Sequence, residues 1–253
     1  MLQLYNDDCL KILPKIPDHS VNLILTDLPY GTTRNNKWDT VIPFEKLWPQ
    51  YERLLADKGT IALFGDEPFA SHLRMSNPKW YRYDWIWIKN RATGFLNANR
   101  MPLKNTETIS IFYPKLPLYN PQMRTGFKAY RGKTGSTTSN YGSFTSIETI
   151  NHGERYPVKT LNYSVVPHTI HPTQKPVKLL EYLIKTYTNE GMTVLDNTMG
   201  SGSTGVAAMN TQRSFIGIEQ ENKYFEIAKQ RIDESIQNQQ SNDKQLLQSK
   251  INL

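Results

Sequence analysis

One cysteine, Cys9, is all that the 253 residues contain. That excludes an internal disulfide and a cysteine-based metal cluster, so no metal is expected, and the usage fits a reducing cytosol. Long apolar runs are missing as well: no stretch approaches the roughly eighteen consecutive apolar residues that a membrane-spanning helix needs. Residues 1–10 are polar and acidic, with no basic-then-apolar signal pattern, and the expectation is a soluble, cytoplasmic protein. Acid is scarce in one place. Between Lys89 and Ile170 eleven basic residues face three acids, Glu107, Glu148 and Glu154. The resulting net charge of 11 − 3 = +8 exceeds the +7 of the whole chain, so the remainder is close to neutral and the positive field lies on one segment. Such a segment suits a polyanion.

Two stretches carry the chemistry. Residues 21–25 are nearly all apolar, the composition of a strand covered on both faces in a parallel α/β sheet. They run into Asp27, Leu28, Pro29 and Tyr30: a carboxylate, a residue held extended by the following proline, and an aromatic ring. In open α/β sheets ligands bind beyond the carboxyl ends of strands, so these groups stand where a substrate sits. Alone, the quartet reads more readily as a surface turn. The second stretch reverses that balance. Residues 192–196 form another buried-strand pattern, and Gly200, Gly202 and Gly205 follow with the spacing of a strand-to-helix turn that lets backbone approach a ligand. About twenty residues further on, a third strand ends in Glu219, an acid suited to paired ribose hydroxyls, so an adenosine-like ligand is expected. The helix opening at Ser203 and Thr204 turns its exposed amides toward that ligand.

Together these stretches resemble the amino-methyltransferase family that modifies adenine N6 or cytosine N4 in DNA. Its catalytic motif, (Asp/Asn/Ser)-Pro-Pro-(Tyr/Phe), is matched by Asp27-Leu28-Pro29-Tyr30, and its cofactor motif, Asp-x-Phe-x-Gly-x-Gly, by residues 196–202. The order of the two is similar to the β group, a circular permutation of the methyltransferase fold. His171-Pro172-Thr173-Gln174-Lys175-Pro176 is the most specific match. Leu28 departs from the pattern by replacing the first proline, and Met199 by standing where phenylalanine or another residue more often precedes the glycine.

The resemblance implies an α/β fold with a permuted Rossmann-like sheet, mostly parallel with one antiparallel strand, S-adenosylmethionine as cofactor and DNA as partner. It implies that Asp27 and the Leu28 carbonyl grip the target amine, with Pro29 aiming that carbonyl and Tyr30 stacking on the base. It also places Asp8, Cys9, His171, Thr173, Lys175, Asp196, Gly200, Gly202, Ser203, Thr204 and Glu219 around the cofactor, residues 171–175 at its methionine end and Asp8 on its adenine. Asp8 reads equally as a plain helix N-cap, and His171 as a structural histidine. Aspartate at position 27 is similar to the adenine enzymes and serine to their cytosine relatives, so adenine N6 is the expected target and cytosine N4 the alternative. The resemblance leaves open a homodimer and a restriction endonuclease partner.

Elements are expected at 2–5 (strand), 10–16 (short helix), 44–55 (helix, interrupted by Pro49), 59–65 (strand), 67–75 (helix), 81–89 and 106–113 (strands), then 176–185 (helix) and 221–236 (helix). From 114 to 167 the periodicity disappears. The chain accordingly divides into a catalytic half (1–114), an inserted target-recognition region (115–167), a cofactor half (168–236) and a frayed tail (237–253). Residues 31–39 read as a lid. Arg91, Arg100, Lys104, Arg124, Lys128, Arg131 and Lys133 are the expected DNA contacts, and the interleaved Tyr119, Phe127, Tyr130, Tyr141, Phe144 and Tyr156 suit base stacking. A solvated linker is the plainer reading of that segment. A nicotinamide-dependent oxidoreductase would also explain Gly200 to Glu219, but leaves Asp27 to Tyr30 without a role. An inactive DNA-binding module rests on Leu28 alone.

Overall fold

The computed structural model describes residues 1–251 apart from 33–38, 134–136, 139–141, 144, 146, 168 and 171–172. The chain forms two units, one of Met1–Asn120 with Lys159–Leu253 and one of Pro121–Val158.

In the larger unit the elements run β1 (Leu2–Tyr5), α1 (Cys9–Ile12), β2 (Val21–Thr26), α2 (Phe44–Leu54), β3 (Leu55–Gly65), α3 (Phe69–Ser76), β4 (Tyr81–Thr93) and β5 (Lys104–Phe112). After the smaller unit, which holds β6 (Tyr130–Lys133), β7 (Thr137–Thr138), β8 (Gly142–Ser143) and β9 (Glu148–Asn151), the chain returns as β10 (Thr160–Asn162), α4 (Val177–Tyr187), β11 (Thr193–Asp196), α5 (Ser203–Asn210), β12 (Ser214–Ile218) and α6 (Asn222–Ile251). One eight-stranded sheet results, in the order β1-β12-β11-β2-β3-β5-β4-β10. All neighbours are parallel except those of β5, which runs antiparallel to both β3 and β4. The single reversed strand is therefore β5.

Alternating strand residues feed two cores. Leu23, Leu25, Ala62, Phe64, Ile109 and Val194 face one way, toward α4, α5 and α6. Ile24, Ile61, Leu63, Leu195 and Ile216 face the other, toward α1, α2 and α3. Burial on both faces is what the continuous apolar strands require. The sheet changes direction at its middle: β2 leads through α2 to β3 on one side, while β11 leads through α5 to β12 on the other. The crevice beyond the carboxyl ends of β2 and β11 is thus a topological switch point.

Four expectations change. Pro49 does not interrupt α2, because Leu47, Trp48, Tyr51 and Leu54 bury a continuous helical face that outweighs one lost backbone bond. The irregular region is shorter than 114–167: residues up to Asn120 and from Lys159 belong to the larger unit, and β10 adds a parallel edge strand to β4, Leu161 pairing with Trp87. The tail is not frayed from residue 237, since α6 continues to Ile251. Ser235 donates to Asn210 Oδ1 (2.8 Å) and Gln239 to the Met209 carbonyl (2.6 Å), which tie the helix to the end of α5. Finally, Phe127 and Tyr130 are not bare stacking platforms. The Arg155 guanidinium lies 5.4 Å and 4.8 Å from their ring centres, and Arg124 lies 5.1 Å from Phe127. Most of the expected lid, together with Tyr141, Phe144 and His171, lies outside the described residues. Among the described residues no helix is long and apolar enough to cross a membrane.

Candidate active site

A cavity of about 300 Å³ opens at the switch point. Its walls include Asp8 and Cys9 from the start of α1, Asp27 to Tyr30 beyond β2, Thr173 and Lys175, residues 196–201 after β11, Ser203 and Thr204 of α5, and Glu219 after β12. The two stretches separated by some 170 residues in sequence are also joined directly. Thr26 Oγ1 donates to Asp196 Oδ1 at 2.7 Å, and Thr198 Oγ1 donates to the Asp27 carbonyl at 3.0 Å. The β2–β11 register, Leu23 beside Val194 and Ile24 beside Leu195, brings these ends level.

At the cofactor side Glu219 is held open. Its Oε2 accepts from the Gly200 amide (2.9 Å) and its Oε1 from the Glu221 amide (2.8 Å), which leaves lone pairs on both oxygens for a diol. Burial raises its pKa above the ordinary value. Asp8 caps α1 through the Leu10 amide (2.9 Å) and also lines the cavity. Cys9 lines the wall as a neutral thiol, burial pushing its pKa to about 11. Gly202 does not line it; a Cβ there would come 2.8 Å from the Ala228 Cβ, so this glycine (φ +77°) lets α5 pack against α6. An acid poised for hydroxyls, a glycine turn and a helix N-terminus together form a donor and acceptor set that fits an adenosine-type cofactor with a carboxylate end.

Asp196, between Thr26 and the Thr198 amide, is 3 % exposed, and burial raises its pKa from 3.8 to about 6. A raised carboxylate favours the fold at low pH and loses that contribution as pH rises through its folded value. Above pH 6 the buried charge therefore costs roughly 3 kcal/mol. Asp196→Asn, which keeps an acceptor for Thr26 and Thr198, is expected to raise the thermal unfolding midpoint by several degrees at pH 8 and to leave it unchanged at pH 4. Unfolding curves at the two pH values check this, and a gain of equal size at both would contradict it.

The Asp27 side is an ion cluster. Asp27 Oδ1 accepts the Tyr30 hydroxyl (2.6 Å) and Oδ2 accepts the Lys175 ammonium (2.6 Å). Lys175 also meets Glu107 Oε1 (2.9 Å), as does the Tyr30 hydroxyl (3.0 Å), and Lys89 meets Glu107 Oε2 (2.7 Å). Two carboxylates and two ammonium groups balance, which is what makes this burial tolerable. Burial pushes Asp27 up; Lys175 opposes the rise and the Glu107 charge adds to it. Burial also acts to raise Glu107, but Lys175 and Lys89 outweigh it and hold that carboxyl well below the usual range. The directions differ because Glu107 has two cations and Asp27 has one. Leu28 sits in the core that faces α1, α2 and α3, 3 % exposed, so an apolar side chain serves there as proline would. One face of Tyr30 stacks on Phe69, ring centres 4.8 Å apart.

Lys175, expected at the methionine end of the cofactor, lines the cavity and places its ammonium on the Asp27 carboxylate. Glu107 and Lys89 were legible only as charge in a basic segment. The available signal was an acid at 107, in alternation with Ile109 and Ile111 on one face of the strand, where ionised groups rarely sit unpaired. Of the expected DNA contacts, Arg91, Arg100, Arg124, Lys128 and Lys133 are exposed. Lys104 pairs with Asp66 (2.8 Å) and Arg131 with Glu148 (2.6 Å).

Comparison with known proteins agrees with this geometry. Residues 21–230 match the N6_N4_Mtase family model, described as DNA methylase. The type II methyltransferase M.HpaI of Haemophilus parainfluenzae is 30% identical over 246 residues, covering 91% of this chain and 74% of its own. The crystal structure of the M1.HpyAVI–SAM complex superposes with a TM-score of 0.64 at 26% identity, over 91% of this chain and 100% of that one. The cytosine-N4-specific PvuII DNA methyltransferase shares the fold, with a TM-score of 0.63 at 17% identity over 91% of this chain and 86% of its own.

Proposed function

We propose, starting from the fact that this chain belongs to the N6/N4 family of S-adenosylmethionine-dependent DNA methylases, that it methylates the exocyclic N6 amine of adenine in DNA. The observation that carries this reading is the shared cavity: Asp27 to Tyr30 and the Gly200 turn line the same space, bridged by Thr198. Aspartate at position 27, rather than serine, favours adenine over cytosine.

S-adenosylmethionine, when bound, supplies an electrophilic methyl group on a sulfonium. The residues of this chain must present the amine in line with it, about 3 to 3.5 Å from the methyl carbon. An adenine amine is a weak nucleophile because its lone pair is delocalised into the ring. The Asp27 carboxylate and the Leu28 carbonyl, aimed at the two amine hydrogens, draw the nitrogen toward tetrahedral geometry and stabilise the positive charge that grows as the N–C bond forms and the methyl–sulfur bond breaks; the methylated nitrogen then sheds one proton, for which the Asp27 carboxylate is the adjacent acceptor. Among the described residues no donor reaches the Leu28 carbonyl, and Asp27 retains lone pairs beyond those used by Tyr30 and Lys175. Burial keeps water from competing for both acceptors. A paired amine lies inside the duplex, so the base must leave the stack, at a cost of a few kcal/mol offset by pocket contacts.

Transfer of labelled methyl groups to unmethylated bulk DNA, followed by nucleoside analysis, tests the reading. N6-methyladenine is expected; N4-methylcytosine would move the target to cytosine, and no transfer would remove the proposal.

The smaller unit supplies exposed cations for the phosphate backbone. Because Arg131 is already paired with Glu148, neutralising Lys128 and Lys133 together should have the larger effect. The salt dependence of DNA binding is expected to flatten by roughly two units of slope, close to one per lost phosphate contact. An unchanged slope in a filter-binding titration over salt would remove both lysines from the interface.

A further inference from the structure

The hairpin of β4 and β5 ends in a tip that the chemistry above does not use. Register pairs Trp87 with Glu107 and Thr93 with Lys104, and the chain then turns through residues 94–103. At this tip Phe95 is 77% exposed, Leu96 83% and Met101 53%. The turn is built rather than loose: Gly94 takes φ +87°, and the amides of Asn97, Ala98, Arg100 and Met101 bond back to carbonyls at 2.9, 3.1, 2.8 and 3.0 Å. A hydrogen-bonded turn thus holds a phenylalanine and a leucine out in water. No acid occurs between Lys89 and Glu107, while Arg91 and Arg100 flank the apolar tip, both exposed.

The hairpin is rooted in the ion cluster, since Glu107 lies 2.9 Å from Lys175. From Glu107 to Lys104 is three residues of strand, about 10 Å at roughly 3.4 Å each. The tip lies beyond Lys104, so it stands at least about three base-pair steps of duplex from the cluster.

We propose that this tip is a DNA wedge: Phe95 and Leu96 enter the base stack a few steps from the target and part it, which eases the exit of the target base, while Arg91 and Arg100 grip the flanking phosphates. Apolar side chains pushed between base steps and flanked by cations part the stack in this way. A second copy of the chain is a poorer occupant, because it would bring the same arginines against one another. The proposal rests on the DNA methylase reading.

The test compares the full-length protein with Phe95→Ala/Leu96→Ala on oligonucleotide duplexes carrying the site mapped by modified-base sequencing. In one duplex the target is normally paired; in the other an abasic site lies opposite it, so little unpairing work remains. The variant is expected to methylate the paired duplex about 10- to 100-fold more slowly than wild type, and the abasic duplex within about 3-fold. Both replaced side chains are solvent-exposed, and matching thermal unfolding midpoints will verify that the fold is intact. Equal losses on the two duplexes, or none on the paired one, would overturn the wedge while leaving the methylase reading standing. So would a wild-type dimer that the variant turns into a monomer in sedimentation, because the tip would then be a subunit contact. If wild type methylates neither duplex, the methylase reading falls and takes the wedge with it.

Discussion

Asp27→Ala is expected to lower the methyl-transfer rate by about 10³-fold while leaving cofactor affinity within a few-fold, because it deletes an acceptor whose interaction grows as charge develops on the amine. The cofactor side of the cavity is held by other bonds, Glu219 to the Gly200 amide and Asp196 to Thr26, and none of these passes through the Asp27 side chain. The variant should also fold, since Lys175 keeps Glu107 as a counter-ion at 2.9 Å. Single-turnover methylation and calorimetric titration with S-adenosylmethionine separate the two effects. Lost cofactor binding with retained turnover would reverse the roles assigned to the two sides of the cavity.

Lys175→Met should have the second largest effect, and its size depends on pH. Removing the ammonium leaves Asp27 buried with only the Tyr30 hydroxyl, near the Glu107 charge. Breaking a buried pair in this way costs about 3–5 kcal/mol. The Asp27 pKa, already raised, must rise further. A carboxyl raised in the folded state favours the fold below its unfolded value and loses that contribution as pH climbs through the folded one, so the variant should be least impaired in acid and most unstable at pH 8. Activity runs the opposite way, because the ionised carboxylate is the stronger acceptor and carries the charge that stabilises the cation developing on the amine. The acid limb of the rate profile should therefore move to higher pH. Glu107→Gln removes the neighbouring negative charge that raises Asp27, and should move the same limb to lower pH. Urea unfolding and kcat measured across pH test both; a limb that stays put in both variants would show that Asp27 does not titrate in this range.

The legible part of the fold followed from strand composition. Residues 21–25 and 192–196 announced strands buried on both faces, and β2 and β11 are such strands, side by side at the switch point. The glycine turn and Glu219 were readable because their spacing is local: a strand end, a turn and the next strand end lie within one βαβ unit. The ion cluster was not. Lys89, Glu107 and Lys175 lie on β4, β5 and the approach to α4, and nothing in their neighbours' identities says that these distant charges meet one another and, through Lys175, Asp27. β10 was missed because a three-residue edge strand has too few alternations to show a period. The continuation of α6 past residue 237 was hidden because its ties to α5 are long-range polar bonds.

By itself, then, the amino-acid order determined the kind of chemistry on offer: an acid, a carbonyl aimed by proline and an aromatic ring at one strand's rim, and a glycine turn with an acid suited to a diol at another's. Each is a short motif whose geometry local sterics impose. Only the tertiary structure decided how that acid is charged. Its pKa depends on burial and on the Lys175 and Glu107 charges, and Coulomb forces act on distance in space, which chain folding sets and sequence separation does not.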